Sequence, residues 1–316
     1  MPVRLVSSLA AVADQPDPAI TLVRGGGLGD TILLLPTLAL LRTALPGVQL
    51  TLVGSAWAES LDPLLPFPLT IRLFDSSQMA TLFAGPAPDR LGIFGGNAVI
   101  LYTDDPGSAF VQNAKRACDG AVIVCAATQI AGIHAALHYA NAIADTWDGL
   151  PIPQLRVAAA AFESARSHMR SVLGTDQGVV AIHPGSGGKR KCWPLERWVG
   201  LLQDLRRPVV LLQGPADAPI CNALRAELPA AAPLLSITDR SVAEAAGYIQ
   251  AAAFYVGNDS GMSHLAAALG VASAVVFGPT DPSVWRPLGP HVSIVAATRA
   301  DWPNVHQVLS IIRSRK

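Results

Sequence analysis

An eight-residue stretch, GNDSGMSH at positions 257–264, places a carboxylate, two hydroxyls and two glycines where a strand would meet a helix. It follows the apolar run AAFYV at 252–256 and opens a small-residue helix that stops at Gly270. Such a helix start directs backbone N–H groups and the positive end of the helix dipole beyond the strand, where a phosphate binds favourably. Taken alone, the stretch is explained equally well as an ordinary N-capped helix.

A second loop of the same character is HPGSGGKRKCWP at positions 183–194. It follows the apolar strand pattern VVAI at 179–182 and precedes a helix that starts near Leu195. Its glycines let the backbone approach a ligand closely, and Lys189, Arg190 and Lys191 add three positive charges. The spacing does not match a P-loop, and a solvated basic turn is the alternative. Two anion-seeking loops in one half of the chain predict one pyrophosphate bound between them.

A third loop, GGGLGD at 25–30, lies between a strand pattern at 20–24 and a helix expected from Thr31. Strand, glycine turn and helix make the first unit of a Rossmann-like half. Asp30 occupies the place of the third glycine in the dinucleotide fingerprint, and its carboxylate would repel phosphate. This argues against a nicotinamide-dependent oxidoreductase. Two roles remain open for Asp30, a structural N-cap or a functional carboxylate.

Strand and helix patterns alternate through both halves of the chain. Further strands are expected at 48–53, 69–74, 98–102, 121–124, 209–213, 234–237 and 274–277, and helices at 108–118, 134–147 and about 162–173. The turn-rich GLPIP at 149–153 ends the first half. The pattern predicts an α/β protein with two Rossmann-like, doubly wound domains facing each other across a cleft. We expect domains at 1–155 and 156–316, with the last helix, about 303–316, able to pack back on the first.

Composition is typical of a two-domain enzyme without a membrane span. Only 15% of the 316 residues are charged and 51% are hydrophobic, as buried parallel strands require, but no run is long and uncharged enough to cross a bilayer. The four cysteines show neither a CxxC pair nor zinc spacing, which indicates reduced thiols in a cytoplasmic protein. The apolar segment at 5–13 is too short and too serine-rich for a signal peptide.

Charge divides unevenly between the two halves. Residues 1–150 carry 7 Lys and Arg against 12 Asp and Glu, a net of −5, and residues 151–316 carry 16 against 11, a net of +5. The basic half holds both anion-seeking loops and therefore suits an anionic donor. The sequence contains no basic cluster with interleaved aromatic residues, which is the pattern that would indicate nucleic-acid binding. No Asp-x-Asp metal clamp occurs, and His134 and His138 lack the neighbouring ligands that a metal site requires, so no metal or cofactor is expected.

These motifs, in this order, resemble those of glycosyltransferase family nine, the ADP-heptose:lipopolysaccharide heptosyltransferases. The resemblance rests on the Gly29-Asp30 turn with Pro36 six residues later, on Lys191-Cys192-Trp193-Pro194 after a small-residue loop, on DSGMSH at 259–264, and on GPTDP at 278–282. It spans the chain from about Thr21 to Asp281, and the last two motifs together are the specific ones.

The resemblance implies a GT-B enzyme that transfers a heptose with inversion and without a metal. The donor would be ADP-L-glycero-β-D-manno-heptose and the acceptor a lipopolysaccharide-core or related glycan or glycolipid. Asp30 would act as general base and Lys191 as the principal cation on the leaving diphosphate. The substrate-binding residues would be Gly29, Ser186, Gly187, Asp259, Ser260, Gly261, Met262, Ser263, His264, Gly278, Thr280 and Asp281.

Three alternatives to this function stay open at the level of sequence. The acidic first half argues for an acceptor with less charge than a phosphorylated lipid. Another nucleotide sugar could serve as donor, and a nucleotide-sugar epimerase of the same architecture would also bind a diphosphate. A lipid-linked acceptor would bring the protein to the cytoplasmic face of the inner membrane as a peripheral contact, although no basic amphipathic helix indicates it.

Overall fold

The computed structural model describes residues 3–83, 94, 96–229, 231–297 and 301–314. The chain divides into two compact units, Met1–Pro153 and Gln154–Lys316. Both units are α/β, and each contains a parallel sheet of the doubly wound kind, so the predicted Rossmann-like class is confirmed. Within the described residues, no helix is long and apolar enough to cross a membrane.

The first unit alternates strands with helices. Its strands are β1 (Arg4–Leu5), β2 (Ala19–Val23), β3 (Gln49–Gly54), β4 (Thr70–Leu73), β5 (Ala98–Tyr102), β6 (Ala121–Cys125) and β7 (Ala144–Thr146). Its helices are α1 (Ser7–Ala10), α2 (Leu28–Ala44), α3 (Ala56–Leu61), α4 (Ser77–Thr81), α5 (Ala109–Ala117) and α6 (Ala135–Ala140).

Five parallel strands form the main sheet of this unit in the order β4-β3-β2-β5-β6, and β1 pairs with β7 in a separate antiparallel ribbon. Every residue of β5 is buried, as expected for a parallel strand covered on both faces. The strand order reverses between β2 and β5. In open parallel sheets, ligands bind at the carboxyl ends of the strands beside such a point.

The second unit has the same alternation. Its strands are β8 (Val180–His183), β9 (Val209–Gln213), β10 (Leu234–Thr238), β11 (Phe254–Asn258), β12 (Ser273–Phe277) and β13 (Val292–Ala296). Its helices are α7 (Ala159–Leu173), α8 (Leu195–Leu205), α9 (Ala218–Ala226), α10 (Val242–Ala251), α11 (Gly261–Ala268), α12 (Pro282–Trp285) and α13 (Val305–Ser314).

Six parallel strands form the second sheet in the order β10-β9-β8-β11-β12-β13. The order reverses between β8 and β11, so the loops that follow these two strands flank the expected ligand position. The sequence allowed the last helix to pack on the first unit. Within the second unit, α13 buries Val308, Leu309 and Ile312 in the core, beside the buried rings of Trp193 and Trp198.

Two of the predicted helices have other bounds in the structure. The helix expected at 134–147 ends at Ala140, and the chain then forms strand β7, whose partner β1 comes from the other end of the unit. The helix expected from Thr31 begins at Leu28, inside the glycine turn. The end of the first of these helices depends on the pairing of β7 with a distant strand, and the start of the second depends on the backbone of the glycine turn. The spacing of apolar side chains reports neither interaction.

Candidate active site

Asp259, directly after β11, is the centre of a polar cluster at the carboxyl edge of the second sheet. Its Oδ2 accepts hydrogen bonds from Lys191 Nζ at 2.9 Å and from Thr280 Oγ1 at 2.8 Å. Its backbone carbonyl accepts from Ser186 Oγ at 2.7 Å. The structure therefore joins the loops after β8, β11 and β12 through four residues that the sequence had singled out. We call Ser186, Lys191, Asp259 and Thr280 the Asp259 cluster.

Burial and charge in the Asp259 cluster are unequal. The carboxyl side chain of Asp259 is 5% exposed, whereas the side chain of Lys191 is 36% exposed. A buried carboxylate is costly unless it is paired, and Lys191 supplies the countercharge. The ammonium also lies 6.0 Å from the centre of the Trp285 ring. Lys191 thus bridges a buried acid and the solvent, where a second anion can reach it.

Asn258, the last residue of β11, fixes the glycine-rich loop in place. Its fully buried side chain donates from Nδ2 to the carbonyls of Pro184 (2.7 Å) and Gly185 (3.2 Å). Its Oδ1 accepts from the backbone N–H of Trp193 at 3.0 Å. One amide therefore holds both ends of the loop that carries Ser186 and Lys191.

A buried chain of polar side chains lies next to this loop. His183, the last residue of β8, places Nε2 2.9 Å from Oδ2 of Asp217. The same oxygen accepts from the backbone N–H of Gly214 at 2.9 Å. On the other side of the imidazole, Nδ1 lies 3.4 Å from Ser260 Oγ. The three side chains form a continuous sequence from acid to imidazole to hydroxyl.

The pKa of Asp217 reflects this environment. Burial opposes ionisation of the carboxyl group, but the hydrogen bond and charge of His183 and the Gly214 N–H outweigh it, so the pKa lies below its ordinary value. Asp217 also packs against Gly185 so closely that a Cβ at position 185 would overlap its carboxyl group. The loop can pass this acid only because residue 185 is glycine.

The start of α11 is built as the sequence suggested, with one difference. Ser260 is the N-cap, but its side chain makes no capping hydrogen bond and is turned towards His183. The first N–H groups of the helix, beginning at Gly261 and Met262, have no acceptor inside the helix. This end of α11 is therefore available to an anion, and both residues are partly exposed.

Several residues that the sequence assigned to substrate binding make contacts within the fold. Ser263 donates to the carbonyl of Asn258 at 2.6 Å and is fully buried, so it braces the strand-to-helix turn. His264 is also buried. Asp281 caps α12 by accepting from the N–H of Ser283 at 2.8 Å. Gly278 is pressed against the Trp302 ring where a Cβ would overlap.

Gly187 has a different position, because its backbone is exposed and a Cβ there would meet nothing within 4 Å. The four residues of the Asp259 cluster are in direct contact. Gly187 lies on the loop after β8, Gly261 and Met262 are the first two residues of α11, and Ser263 and Asp281 make structural hydrogen bonds.

Asp30 lies in the first unit, and both of its carboxylate oxygens accept hydrogen bonds. Oδ2 accepts from the N–H of Gly27 at 2.9 Å, and Oδ1 accepts from Arg24 Nη2 at 3.0 Å. Gly27 is the N-cap of α2 and Asp30 is the third residue of the helix, so the carboxylate forms one half of a capping box, and glycine has no side chain for the reciprocal bond. The sequence allowed Asp30 to be the N-cap residue itself. In the structure Gly27 is the N-cap, and Asp30 caps the turn from inside the first turn of the helix, next to Gly29.

Tyr139, from α6, completes the environment of Asp30. Its hydroxyl receives hydrogen bonds from Arg24 Nη2 at 3.0 Å and Gln129 Nε2 at 2.7 Å, and it lies 3.4 Å from Asp30 Oδ1. Burial raises the pKa of Tyr139 against the lowering effect of Arg24, so the hydroxyl keeps its proton at neutral pH. The Asp30 side chain is 26% exposed. It is held rigidly but remains accessible to a reactant.

Sequence reasoning missed five residues that organise these sites: Arg24, Tyr139, His183, Asp217 and Asn258. Three of them had a usable signal, because His183, Asn258 and Arg24 stand at or directly after the carboxyl ends of central parallel strands. Tyr139 had no local signal. In the parts of the chain that are described, no group of three or more His, Cys, Asp or Glu is arranged to hold a metal ion.

The family model described as glycosyltransferase family 9 (heptosyltransferase) matches residues 120–311, more than half of the chain. The chain belongs to glycosyltransferase family 9. The family match includes the Asp259 cluster, His183, Asp217 and Tyr139, whereas Asp30 and Arg24 lie before its first residue.

The chain is also similar to individual proteins of this family. Lipopolysaccharide heptosyltransferase 1 of Escherichia coli is 28% identical over 158 residues, and the aligned stretch spans 44% of each protein. A family 9 glycosyltransferase from Veillonella parvula covers 95% of this chain and 98% of its own, with a TM-score of 0.74 at 18% identity. ADP-heptose lps heptosyltransferase II of E. coli covers 94% and 98%, with a TM-score of 0.72 at 18% identity. This likeness confirms the GT-B fold class.

Proposed function

We propose that this family 9 protein is an inverting glycosyltransferase that moves a heptose from ADP-L-glycero-β-D-manno-heptose to a glycan acceptor, without a metal ion. The observation that carries the proposal is the Asp259 cluster, in which a lysine and two hydroxyls contact Asp259 at the carboxyl edge of the second sheet, directly before the start of α11. Such a group can bind the diphosphate of a nucleotide sugar.

The donor proposal also draws on what relatives bind. The structure of E. coli heptosyltransferase WaaC with ADP has a TM-score of 0.66 to this chain at 20% identity, and the match covers 94% of this chain and all of that one. By analogy, ADP would lie over the starts of the loops after β8 and β11. Asp259 would then contact hydroxyls of the sugar while Lys191 reaches the phosphates.

The leaving diphosphate gains negative charge as the glycosidic bond breaks. Lys191, the Ser186 hydroxyl and the first N–H groups of α11 would stabilise that charge with groups that are fixed before the reaction. This is the task that a divalent ion performs in other glycosyltransferases, and it is the reason for proposing metal independence.

Asp30 is the proposed general base, in the first unit. A single displacement with inversion needs one group to accept the proton of the attacking hydroxyl and no covalent intermediate. Arg24 and the Gly27 N–H fix the carboxylate, and a quarter of its side-chain surface stays open to an acceptor. The same contacts cap α2, so the residue would have a structural role and a chemical one.

The acceptor is proposed to be a glycan or glycolipid of the lipopolysaccharide core or a related structure. The net charge of −5 over residues 1–150 favours an acceptor with few phosphates. A lipid-linked acceptor would bring the protein to the cytoplasmic face of the inner membrane by peripheral contact.

The decisive experiment is a transfer assay with a panel of ADP- and UDP-sugars and with core oligosaccharides of increasing phosphorylation. Transfer from ADP-heptose, faster than from every other sugar nucleotide, is the expected result. Product linkage by NMR then shows whether the anomeric centre is inverted. Preference for another donor would leave the proposed fold and mechanism standing but would replace heptose as the transferred sugar. Epimerisation of a donor in the absence of any acceptor would overturn the transferase proposal.

A further inference from the structure

The two oxygens of the Asp30 carboxylate differ in how many hydrogen bonds they already accept. Oδ1 accepts from Arg24 Nη2 at 3.0 Å and from the Tyr139 hydroxyl at 3.4 Å. Oδ2 accepts from the backbone N–H of Gly27 at 2.9 Å. Each carboxylate oxygen has two lone pairs. Among the contacts of the described residues, Oδ1 is therefore fully used, whereas Oδ2 keeps one lone pair for a reactant.

The direction of the Tyr139 proton follows from a similar count. The phenol oxygen accepts from Arg24 Nη2 at 3.0 Å and from Gln129 Nε2 at 2.7 Å. Because these two donors occupy the oxygen, its own proton is left to point towards Oδ1 of Asp30. Oδ1 thus faces two donors that are in place without a ligand.

The glycine at residue 26 leaves one side of Oδ2 uncovered. Gly26 has a φ of +119°, and a Cβ there would come 2.8 Å from Oδ2 and 2.9 Å from Cγ of Asp30. The Gly26 carbonyl accepts from Ser55 Oγ at 2.8 Å, which fixes the turn. A side chain at residue 26 would press on the oxygen that has a free lone pair, and a hydrogen atom leaves that oxygen open.

Arg24 is the residue that sets the difference between the two oxygens. Its Nη2 uses both N–H groups, one on Asp30 Oδ1 and one on the Tyr139 hydroxyl, and Nη1 donates to the Gly25 carbonyl at 2.8 Å. The guanidinium also lies 5.4 Å from the centre of the Tyr139 ring. The Arg24 side chain is 14% exposed. Because Nη2 is fully used and the side chain is mostly covered, Arg24 acts through Asp30.

We propose that Oδ2 of Asp30 accepts the proton of the attacking hydroxyl, and that Arg24 is the positioning residue that directs Oδ2 to the reactant by holding Oδ1. The inference rests on the proposed function, in which Asp30 is the general base. The O–H proton passes to Oδ2, and the hydroxyl oxygen forms the new bond to the anomeric carbon. The electron pair of the broken glycosidic bond leaves with the diphosphate, and Oδ2 then releases its proton to solvent.

Loss of Arg24 should slow the chemical step, because rotation of a carboxyl group about its Cβ–Cγ bond is weakly restrained. Either oxygen of Asp30 can then pair with the Gly27 N–H, and the reactive lone pair no longer has one fixed direction. A misplacement of about 1 Å can cost about 10²-fold in rate. The Asp259 cluster lies in the other unit, so the affinity for the donor should not change.

The test is Arg24→Ala, assayed as the whole chain with saturating ADP-heptose and a core oligosaccharide as acceptor. We expect kcat to fall about 10²-fold, with the KM for acceptor and the Kd for ADP within about twofold of wild type. Guanidinium chloride, far below concentrations that unfold the protein, should restore kcat about tenfold, because the free ion can donate to Oδ1. Urea has a similar shape but no charge, and should restore much less.

Arg42→Ala is the matched control, because Arg42 is an exposed arginine of α2 whose guanidinium lies 4.9 Å from the centre of the Phe67 ring. Its kcat should equal that of wild type, and guanidinium should not raise it. Thermal unfolding of each variant, with and without guanidinium, separates a gain in rate from a gain in folded protein. Arg24→Lys keeps the charge without the planar fork, so its kcat should lie between those of wild type and Arg24→Ala.

The outcomes separate the inference from the proposed function. A folded Arg24→Ala variant with wild-type kcat overturns the inference, and so does a loss carried by the KM for acceptor, which would make Arg24 a binding residue. Rescue by urea equal to that by guanidinium, or no rescue by either, also overturns it. If Arg24→Ala does not fold, Arg24→Lys decides: wild-type kcat overturns the inference, and a lower kcat at unchanged KM supports it.

Each of these results leaves the proposed function standing, because the wild type still transfers the sugar. Absence of transfer by the wild type from every sugar nucleotide would contradict the proposed function itself.

Discussion

The ammonium of Lys191 donates to the buried carboxylate of Asp259 across 2.9 Å, so the principal cation of the candidate donor site is already paired. This pairing gives the buried side chain of Asp259 a partner of opposite charge in the absence of a ligand. It also means that a diphosphate must share Lys191 with Asp259. In this arrangement Asp259 positions the ammonium of Lys191 for an anion. The position of that ammonium therefore matters more for anion binding than the net charge of the loop.

Lys191→Gln should weaken ADP binding by about ten- to hundredfold, because it removes a charge-assisted hydrogen bond but keeps an N–H donor for Asp259. Lys189→Gln is the matched control on the same 189–191 turn and should have a much smaller effect. Calorimetric Kd values for ADP measure both. Equal losses in the two variants would indicate a diffuse basic patch and contradict the placed-lysine assignment.

Asp30→Asn should lower kcat by about 10²–10⁴-fold while the Kd for donor stays nearly unchanged, because an amide cannot accept the acceptor's proton. The amide oxygen can still cap Gly27, so the variant should fold. Steady-state kinetics with saturating donor give the comparison.

Tyr139→Phe is the control for this result, since it removes a hydroxyl next to Asp30 and leaves the carboxylate in place. Its loss of kcat should be far smaller than that of Asp30→Asn. Near-normal turnover of a folded Asp30→Asn protein would leave the residue with its capping role alone.

Transfer should continue in excess EDTA after bound divalent ions have been removed. The expected reason is that Lys191, Ser186 and the start of α11 already supply the positive field around the leaving group. Rates with and without EDTA, and after addition of magnesium or manganese, are the measurement. Activity that EDTA abolishes and a divalent ion restores would show that a metal takes part in the step.

Acid should destabilise the protein partly through Asp217. Its folded-state pKa lies below the ordinary value near 3.9, so the carboxylate stabilises the fold above that value, and the contribution is lost as pH falls through the lower folded pKa. In Asp217→Asn this contribution is absent at every pH. The variant should therefore be less stable than wild type at neutral pH, with a gap that narrows in strong acid. Urea unfolding at several pH values measures it, and a constant gap would refute the linkage.

Local patterns were sufficient to predict most of the parallel strands, because each buried strand is a short apolar run ending at glycine or a polar residue. The runs at 98–102 and 209–213 coincide with β5 and β9. Strand β7 could not be predicted, because its partner, β1, lies about 140 residues away in the chain. Helical spacing in 134–147 was therefore misleading beyond Ala140.

The site shows the same division between local and non-local information. The sequence predicted that the loop with Lys191 and the helix start at Asp259 would bind one pyrophosphate between them, but it did not predict the direct contact of the two side chains. It did not indicate that Asp217 would ionise beside His183, because 34 residues separate them and only the register of β8 and β9 brings them together. Ser263 and Asp281 have plausible ligand chemistry in the motif, yet the structure uses both for backbone hydrogen bonds.

The side chain of Asn258 has a kinetic consequence. Its amide uses two donated hydrogen bonds and one accepted bond to hold Pro184, Gly185 and Trp193, so the loop between them is ordered without any ligand. A nucleotide that meets an ordered loop does not have to wait for it to fold, and diffusion and charge then govern the association rate. Differences in affinity among variants of Ser186 or Lys191 should accordingly lie in how long the nucleotide stays bound, and the lifetime of the product complex would set the pace of repeated turnover.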